Sequence, residues 1–246
     1  MRAIILVAGK GSRLPKKYSK LPKSFLKLNN KKLIDILIEN FKSVGIKKIS
    51  LVTGYKSNVF KKINHSFTEF HNIKWKNTNM VYSLMRAKKW LLKYPCIVTY
   101  GDILYEKKVL VQLIKKKNDL VVSYDKNWKK LWLKRFTDPL KDAETFKVNS
   151  KSYIKEIGNK TKNINNIKGQ YMGLILFRPK GWEKFSKCLR EEFKNKVQKI
   201  YLTDVLQKLI KKNIKIKAVK YTGHWAEVDN SKDYKIMKEI YKKFFK

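Results

Sequence analysis

The chain opens with Ala3-Ile-Ile-Leu-Val-Ala8, which runs into Gly9-Lys-Gly-Ser-Arg-Leu14 and, further on, Leu21-Pro-Lys23. The apolar and partly β-branched run predicts a buried first strand. Two glycines then reduce the bulk of the loop, so that backbone N–H groups can approach an anion. Arg13 and Lys23 add two positive charges ten residues apart. Although Gly-x-Gly alone is weak evidence, this order of strand, loop and cations favours a nucleoside triphosphate.

Strand and helix patterns alternate over the first half of the chain. Apolar residues recur at helical spacing over 33–44, Gly45 follows as a helix-ending residue, and 49–53 is a second apolar strand. Strand, helix and strand in this order predict a parallel βαβ unit. Further strands are predicted at 73–75, 96–100 and 120–124, and a helix at 79–92 capped by Asn79. The pattern predicts an α/β fold with a doubly wound, mixed but mainly parallel sheet.

The rhythm changes after residue 124, where helices and short strands no longer alternate regularly. The predicted elements are a hairpin of 146–148 with 153–157, a strand at 169–177, helices near 182–193 and 201–212, strands at 214–219 and 225–228, and a helix over 233–245. No repeat or low-complexity linker separates the two halves. We therefore predict one domain over 1–246, in which residues 125–246 add a small α+β lobe to the sheet.

The charge of the chain is strongly positive. Among 246 residues there are 59 Lys and Arg against 19 Asp and Glu, a formal net charge of +40. Such a chain attracts anions, including nucleic acid, anionic membranes and triphosphates. The lysines are spread along the whole chain, without a compact basic block or an RNA-binding aromatic signature. We therefore favour a compositional bias and predict no specific nucleic-acid partner.

The sequence predicts a cytoplasmic protein. Cys96 and Cys188 are too few for a disulfide framework or a cysteine metal cluster. No apolar run approaches the roughly 20 residues of a transmembrane helix. The N-terminus has neither the apolar length nor the cleavage site of a signal peptide.

Two carboxylates follow predicted strands and are candidate metal ligands. Asp102 follows the strand at 96–100, and Asp229 ends Trp225-Ala-Glu-Val-Asp229. Ligands of open α/β sheets lie beyond the carboxyl ends of strands, and Mg²⁺ is usually held by one or two carboxylates together with substrate phosphates. A turn aspartate at 102 and a helix-capping aspartate at 229 are the structural alternatives.

Several further motifs occur in an order that resembles one enzyme family. They are Tyr100-Gly-Asp-Ile103, Trp128 with Trp132 and Arg135, Asp138-Pro-Leu-Lys-Asp-Ala-Glu144, Gly169-Gln-Tyr-Met-Gly-Leu174, Tyr201-Leu-Thr-Asp204 and Trp225-Ala-Glu-Val-Asp229. The chain resembles, from Ala3 to about Tyr234, the bacterial cytidylyltransferases that act on phosphocholine, 2-aminoethylphosphonate and similar amines. The resemblance implies a Rossmann-like, GT-A-like nucleotidyltransferase fold. One departure is Lys16-Lys-Tyr18, where the family often has Pro-Leu-Thr.

The resemblance also implies roles for individual residues. Residues 1–124 would bind the nucleotide, and 125–246 would bind the acceptor and complete the metal site. Arg13 and Lys23 would be catalytic phosphate-binding cations, and Asp102 and Asp229 would hold Mg²⁺ as the cofactor. The expected nucleotide-binding residues are Ala8, Gly9, Gly11, Ser12, Thr53, Gly54, Asn79 and Ser83.

The acceptor is expected to contact a segment that combines aromatic and acidic residues. The candidates are Trp128, Trp132, Asp142, Glu144, Gln170, Tyr171 and Glu227. Aromatic faces and carboxylates suit an ammonium group through cation–π contacts and ion pairing. An equally open alternative is that both tryptophans are core residues and the acids pair with nearby lysines.

The leading hypothesis is transfer of CMP from CTP to a small phospho- or phosphono-amine, with release of pyrophosphate, for cell-surface glycan or lipid modification. The acceptor phosphate is already anionic at pH 7, so no covalent intermediate and no catalytic histidine are expected. A sugar-1-phosphate nucleotidyltransferase that uses UTP or dTTP is one alternative. A basic nucleic-acid-binding protein is another. The sequence leaves the oligomeric state open, with a homodimer among the alternatives.

Overall fold

The computed structural model describes residues 1–194 and 196–245. The strands are β1 (Arg2–Leu6), β2 (Lys27–Leu28), β3 (Lys31–Lys32), β4 (Ile49–Thr53), β5 (Thr68–His71), β6 (Cys96–Tyr100), β7 (Ile103–Tyr105), β8 (Leu120–Asp125), β9 (Phe146–Val148), β10 (Ile154–Ile157), β11 (Gln170–Phe177), β12 (Lys217–Tyr221) and β13 (Trp225–Glu227). The α-helices are α1 (Lys16–Ser19), α2 (Leu33–Ser43), α3 (Met80–Arg86), α4 (Lys88–Leu91), α5 (Lys108–Ile114), α6 (Trp128–Arg135), α7 (Pro179–Glu192), α8 (Leu202–Lys211) and α9 (Ser231–Phe244). Short 3-10 turns lie at Lys23–Phe25, Ser57–Lys62, Trp75–Asn77, Pro139–Lys141 and Ile164–Asn166.

Seven strands form the central sheet, in the order β12-β8-β11-β6-β1-β4-β5. Neighbouring strands pair in parallel except β11, which is antiparallel to both β6 and β8. The predicted α/β fold with a doubly wound, mainly parallel sheet is confirmed. Strands β11 and β12 come from the second half of the chain, so that half extends the sheet as well as adding the β9–β10 hairpin.

Both faces of the sheet are covered, as the unbroken apolar strands predict. Along β1 and the residue that follows it, Ile5 and Val7 pack into one core, and Ile4 and Leu6 pack into the other. This alternation follows from the two-residue period of a strand. Helix α2 covers the first core, and α7 and α8 cover the second.

The predicted βαβ unit and its helix end are present in the structure. Strand β1 pairs in parallel with β4, and α2 connects them. Helix α2 ends at Ser43, and Gly45 follows it with a φ of 83°. Glycine is favoured there because other L-residues are strained at positive φ.

The prediction of a strand at 73–75 is wrong. The edge strand is β5, at Thr68–His71, and Trp75 begins a 3-10 turn. The misleading signal was Ile73, which is 79% exposed, whereas β5 is largely exposed and carries little apolar signal. The helix predicted at 79–92 is also divided, because α3 ends at Arg86 and α4 begins at Lys88.

Within the part of the chain that the structure describes, no helix has the length and apolar character needed to cross a membrane.

The chain turns sharply after β6, where Gly101 lies against the end of β1. A Cβ atom at Gly101 would lie 2.3 Å from Cγ1 of Val7 and 2.9 Å from the backbone oxygen of Leu6. At Gly9, a Cβ atom would have no heavy atom within 4 Å. The two glycines therefore differ in their tolerance of a side chain.

We expect Gly101→Ala to lower the free energy of unfolding by about 1–3 kcal/mol, because the added methyl group would collide with Val7 and the end of β1 and push them away from residue 101. Gly9→Ala is the matched control and should change it by no more than about 0.5 kcal/mol. Urea denaturation of both variants measures the difference. Equal effects of the two substitutions would contradict this packing of the turn against β1.

Candidate active site

The site begins where two neighbouring strands end. Leu6 of β1 pairs with Tyr100 of β6, so the glycine loop and Gly101-Asp102 leave the sheet side by side. Strand β7 then pairs with β13, and the backbone N–H of Val228 donates to the carbonyl of Asp102 over 3.0 Å. This pairing brings the chain around Asp229 next to Asp102, although the two residues are far apart in sequence.

The ammonium group of Lys23 lies between the two predicted metal ligands. Its Nζ atom donates to Oδ2 of Asp102 over 2.9 Å and to Oδ1 of Asp229 over 2.9 Å. The two carboxylate oxygens can therefore be no farther apart than twice this distance. Arg13 also reaches Oδ1 of Asp229, over 2.6 Å. The structure thus brings together all four residues that were predicted to act on phosphates and metal.

Gly11 allows Lys23 to reach this position. Gly11 has a φ of 69°, and a Cβ atom there would lie 2.7 Å from Cγ and 3.2 Å from Cε of Lys23. The aliphatic part of Lys23 therefore passes directly over the loop backbone. A larger residue at position 11 would be strained in its backbone and would obstruct the lysine.

The charges in this cluster stabilise one another. Burial lowers the pKa of Lys23, but the adjacent Asp102 and Asp229 outweigh that effect and raise it above its ordinary value. Burial alone would raise the pKa of Asp229, but Lys23, Arg13 and Arg135 lower it overall. Lysine and carboxylate are therefore both charged near neutral pH. Arg13 is 69% exposed, so its ion pair contributes less.

Two carboxylates that share one ammonium form a gap that accepts a positive charge. Within residues 1–194 and 196–245, no group of three or more His, Cys, Asp and Glu side chains is placed to hold a metal ion. A divalent ion between Asp102 and Asp229 would therefore need further ligands from elsewhere. Substrate phosphate oxygens are ligands of that type.

A cavity of about 400 Å³ opens above the glycine loop. Of the predicted nucleotide, phosphate and metal residues, Ala8, Gly9, Gly11, Ser12, Arg13, Lys23, Asn79, Ser83 and Asp102 line it. Trp75, which the sequence analysis did not assign to the site, forms part of the same wall. Asp229 adjoins this cavity through its contacts with Arg13 and Lys23.

Two of the predicted nucleotide residues, Thr53 and Gly54, do not line this cavity, and Asn79 lines it without the predicted helix cap. Thr53 is fully buried and donates to Glu69, and it is not among the residues that line the cavity. Gly54 lies behind the wall, where a Cβ atom would lie 2.5 Å from Cβ of Trp75. Asn79 occupies the N-cap position of α3 but does not cap it with its side chain, because that amide donates to the carbonyl of Lys199 over 2.6 Å. The prediction of a side-chain cap is therefore wrong.

A second cavity, of about 220 Å³, lies on the other side of Tyr100, which lines both. The predicted acceptor residues that line it are Trp132, Asp142, Glu144, Gln170, Tyr171 and Glu227. Tyr201, Thr203 and Thr145 also contribute to the wall. The structure thus gathers six of the seven predicted acceptor residues around one cavity beside the first.

The acids of the second cavity differ in their partners. Asp142 accepts a hydrogen bond from Nε1 of Trp132 over 3.0 Å, and Glu227 is paired with Arg135. The carboxylate of Glu144 accepts no hydrogen bond within the described part of the chain. Burial raises its pKa to about 7, with a lowering contribution from Lys160 and a raising one from Asp142. Burial likewise raises the pKa of Glu227 to about 7, against the lowering effect of Arg135.

The two tryptophans of α6 have different surroundings. Trp128 is 4% exposed, donates to the carbonyl of Ile167 and does not line the second cavity. Trp132 is also buried, but it lines that cavity. The alternative that both are core residues therefore describes Trp128 better than Trp132.

Sequence reasoning missed the contribution of Arg135 and Asp233. Arg135 was noted only as part of a motif, although its guanidinium group contacts Glu227, Asp229 and Asp233. Its position after Trp128 and Trp132 in the same motif was the one sequence signal that could have indicated a role for Arg135 in the site. No local pattern indicated Asp233, because its partner Arg135 lies 98 residues away.

The chain is similar in sequence to a known domain family and to known enzymes. Residues 3–200 match the family model of the MobA-like NTP transferase domain. The chain is 38% identical over 254 residues to CTP:phosphoglutamine cytidylyltransferase of Campylobacter jejuni subsp. jejuni, covering 97% of this chain and 100% of that protein. It is 36% identical over 93 residues to choline-phosphate cytidylyltransferase of Streptococcus pneumoniae, covering 37% of this chain and 41% of that protein.

The fold is shared with a solved structure, that of the inositol-1-phosphate CTP transferase from T. maritima. The TM-score is 0.77 at 21% sequence identity, covering 98% of this chain and 96% of that chain. The predicted Rossmann-like nucleotidyltransferase fold and the resemblance to the cytidylyltransferases are therefore confirmed. The chain belongs to the MobA-like NTP transferase domain family and is a nucleotidyltransferase whose full-length similarity is to a cytidylyltransferase.

Proposed function

We propose that this enzyme transfers CMP from CTP to a small phosphorylated or phosphonylated amine in a Mg²⁺-dependent reaction that releases pyrophosphate. The observation that carries the proposal is the Lys23 ammonium group shared by Asp102 and Asp229 beside two adjoining cavities. The product, CDP-linked from a phosphate acceptor or a CMP-phosphonate from a phosphonate acceptor, would be an activated donor for the modification of a surface glycan or lipid, as the family resemblance implies.

The first cavity supports the nucleotide part of the proposal. It contains the glycine loop and two cations, and its volume of about 400 Å³ falls in the range of small-molecule sites. The choice of CTP rests on the relatives, because those named for their reaction with phosphoglutamine and choline phosphate are both cytidylyltransferases. Arg13 and Lys23 would bind the phosphates, and Ala8 and Ser83 would lie near the nucleoside.

The residues fit a divalent metal ion. Asp102 and Asp229 already direct one oxygen each at a shared cation, and Lys23 has a flexible stem that lets its ammonium group move toward a phosphate. Bound there with CTP, Mg²⁺ would neutralise phosphate charge in the transition state. Asp102 and Asp229 would hold it.

The remaining chemistry is electrostatic. An oxygen of the acceptor phosphate attacks the α-phosphorus of CTP, and the bond to pyrophosphate breaks in line. The attacking oxygen is already anionic at pH 7, so no side chain needs to remove a proton. Lys23 and Arg13 stabilise the negative charge that develops on the phosphates in the transition state. This stabilisation lowers the activation free energy and so raises the rate.

The second cavity supports an acceptor that carries a positive charge. Its wall combines Asp142, Glu144 and Glu227 with Trp132 and Tyr171. Carboxylates pair with an ammonium group, and aromatic faces attract it. Glu144 is the best candidate for direct contact, because Asp142 and Glu227 are already paired with other side chains. Phosphoglutamine, phosphocholine and phosphoethanolamine all combine a phosphate with an amine-derived group.

A pyrophosphate-release screen tests the proposal. CTP, UTP, dTTP and GTP are each combined with phosphoglutamine, phosphocholine, phosphoethanolamine, 2-aminoethylphosphonate and hexose 1-phosphates, with and without Mg²⁺. We expect release with CTP, Mg²⁺ and at least one aminated acceptor. Release only with a hexose 1-phosphate and UTP or dTTP would support the sugar nucleotidyltransferase alternative instead.

Removal of either predicted metal ligand should abolish most of the activity. We expect Asp102→Asn and Asp229→Asn each to lower kcat about 10²- to 10³-fold, because each substitution removes one carboxylate charge at the reacting phosphates. The Mg²⁺ concentration for half-maximal rate should rise as well. Asp119→Asn is the control, since Asp119 pairs with Lys184 at the opposite end of β8. Near-normal turnover by both site variants would refute the assignment.

The pH dependence tests the acceptor cavity. With a pKa near 7, Glu144 is neutral below that pH and gains its charge as the pH rises. The ratio of kcat/KM for an aminated phosphate acceptor to kcat/KM for a phosphate acceptor without an amine should therefore increase through about pH 7. Glu144→Gln should flatten this increase and lower the ratio about tenfold at pH 8, the size of one charged hydrogen bond.

Glu156→Gln is the matched control for the acceptor test, because Glu156 pairs with Lys147 on the β9–β10 hairpin and lines neither cavity. An unchanged acceptor ratio in Glu144→Gln would show that Glu144 does not contact the amine.

A further inference from the structure

Arg135 is a buried cation that the phosphate chemistry described above does not use. It is the last residue of α6, and its side chain is only 1% exposed. A charge that is removed from water in this way is costly unless it is paired and hydrogen-bonded. Its contacts therefore indicate what it does in the fold.

Each nitrogen of the Arg135 guanidinium group faces a carboxylate. Nη1 donates to Glu227, which lines the second cavity. Nη2 lies 3.4 Å from Oδ2 of Asp229, and Nε lies 3.0 Å from Oδ1 of Asp233. Arg135 thus connects the wall of the second cavity with the predicted metal ligand Asp229.

The partner Asp233 is itself fixed in place. It is fully buried, and its Oδ2 atom accepts from the backbone N–H groups of Asp229 over 3.0 Å and Asn230 over 3.2 Å. Asp233 therefore holds the backbone at Asp229, while Arg135 contacts the Asp229 side chain. Together they hold residue 229 at two points.

The two oxygens of Asp229 face different partners. Oδ1 accepts from Arg13 and Lys23 at the first cavity, whereas Oδ2 faces Arg135. Holding Oδ2 from the protein side fixes the rotation of the carboxylate. Oδ1 then faces the phosphate and metal region, and the Asp229 side chain does not have to become ordered when the cation binds.

Charge adds to this effect. The Arg135 guanidinium group supplies positive charge to three carboxylates at once, those of Glu227, Asp229 and Asp233. Without that charge, Glu227, Asp229 and Asp233 would be three close carboxylates with less compensation. Carboxylates held this close repel one another, so Asp229 would move away from its present position.

We propose that Arg135 is a positioning residue that, with Asp233, orients the carboxylate of Asp229 for the divalent cation. This inference rests on the proposed function, in which Asp229 holds that cation. Groups that hydrogen-bond to metal ligands commonly change metal affinity by 10–100-fold when they are altered. A merely structural ion pair between α6 and α9 would stabilise the fold without changing metal affinity.

Metal binding in an unreactive ternary complex separates the two roles. Mn²⁺ is titrated by electron paramagnetic resonance into the enzyme with α,β-methylene-CTP, and the nucleotide affinity is measured without metal. We expect Arg135→Lys to weaken Mn²⁺ binding at least tenfold, because a lysine has no planar fork to contact three carboxylates. Metal-free nucleotide affinity should change less than twofold, and kcat should fall more than KM for CTP changes.

The matched control is Arg178→Lys. Arg178 is another partly buried arginine, which donates to the carbonyl of Lys116 over 2.6 Å and lines neither cavity. It should lose thermal stability while Mn²⁺ affinity stays within twofold of the wild type. Asp233→Asn is a second site variant, with an expected loss of Mn²⁺ affinity in the same direction, and it replaces Arg135→Lys if that variant does not fold.

Unchanged Mn²⁺ affinity in the site variants, or an equal loss in Arg178→Lys, would overturn the inference while the function stands. A wild-type enzyme that binds no Mn²⁺ with the nucleotide analogue would overturn the proposed metal site itself, and with it the role of Arg135.

Discussion

The site depends on one partly buried ion cluster, in which Lys23 bridges Asp102 and Asp229. Its partners lie 79 and 206 residues from the lysine, so it forms only when three regions of the chain are in place. The parallel pairing of β1 with β6 brings the glycine loop beside Asp102, and the pairing of β7 with β13 brings Asp229 to the same point. Burial makes an unpaired charge here costly, so the cluster holds these regions together.

The two cavities of the site differ in the charged residues that line them. The first cavity contains Arg13 and Lys23, whereas the second contains Glu144 and Glu227, and Tyr100 lies between them. In the proposed function, the triphosphate of CTP binds in the first cavity, and the amine of the phosphorylated acceptor binds in the second. The high net charge of the chain attracts anions in general, but it is this local arrangement that can distinguish one end of the acceptor from the other.

The features that sequence predicted best are those with strong local signals. The fold was predicted from the apolar β1, the Gly45 helix end and the family motifs. The proximity of Asp102 and Asp229 was predicted because each follows a strand. Strand β5 was missed because its exposed residues carry no apolar period. Arg135 was missed as a contact of Asp229, since the two residues are 94 positions apart and no sequence pattern indicates that they pair. Periodicity also could not separate Trp128 from Trp132, because both are buried, and they differ in their hydrogen-bond partners and in that only Trp132 lines the second cavity.

The most direct test of this account is a crystal structure of the enzyme with Mn²⁺ and α,β-methylene-CTP, with the metal located by its anomalous scattering. We expect an ion coordinated by both Asp102 and Asp229 together with nucleotide phosphate oxygens, and the Lys23 ammonium group moved from between the carboxylates to a phosphate. An ion held by the phosphates alone or by other side chains, with Lys23 still bridging Asp102 and Asp229, would contradict it.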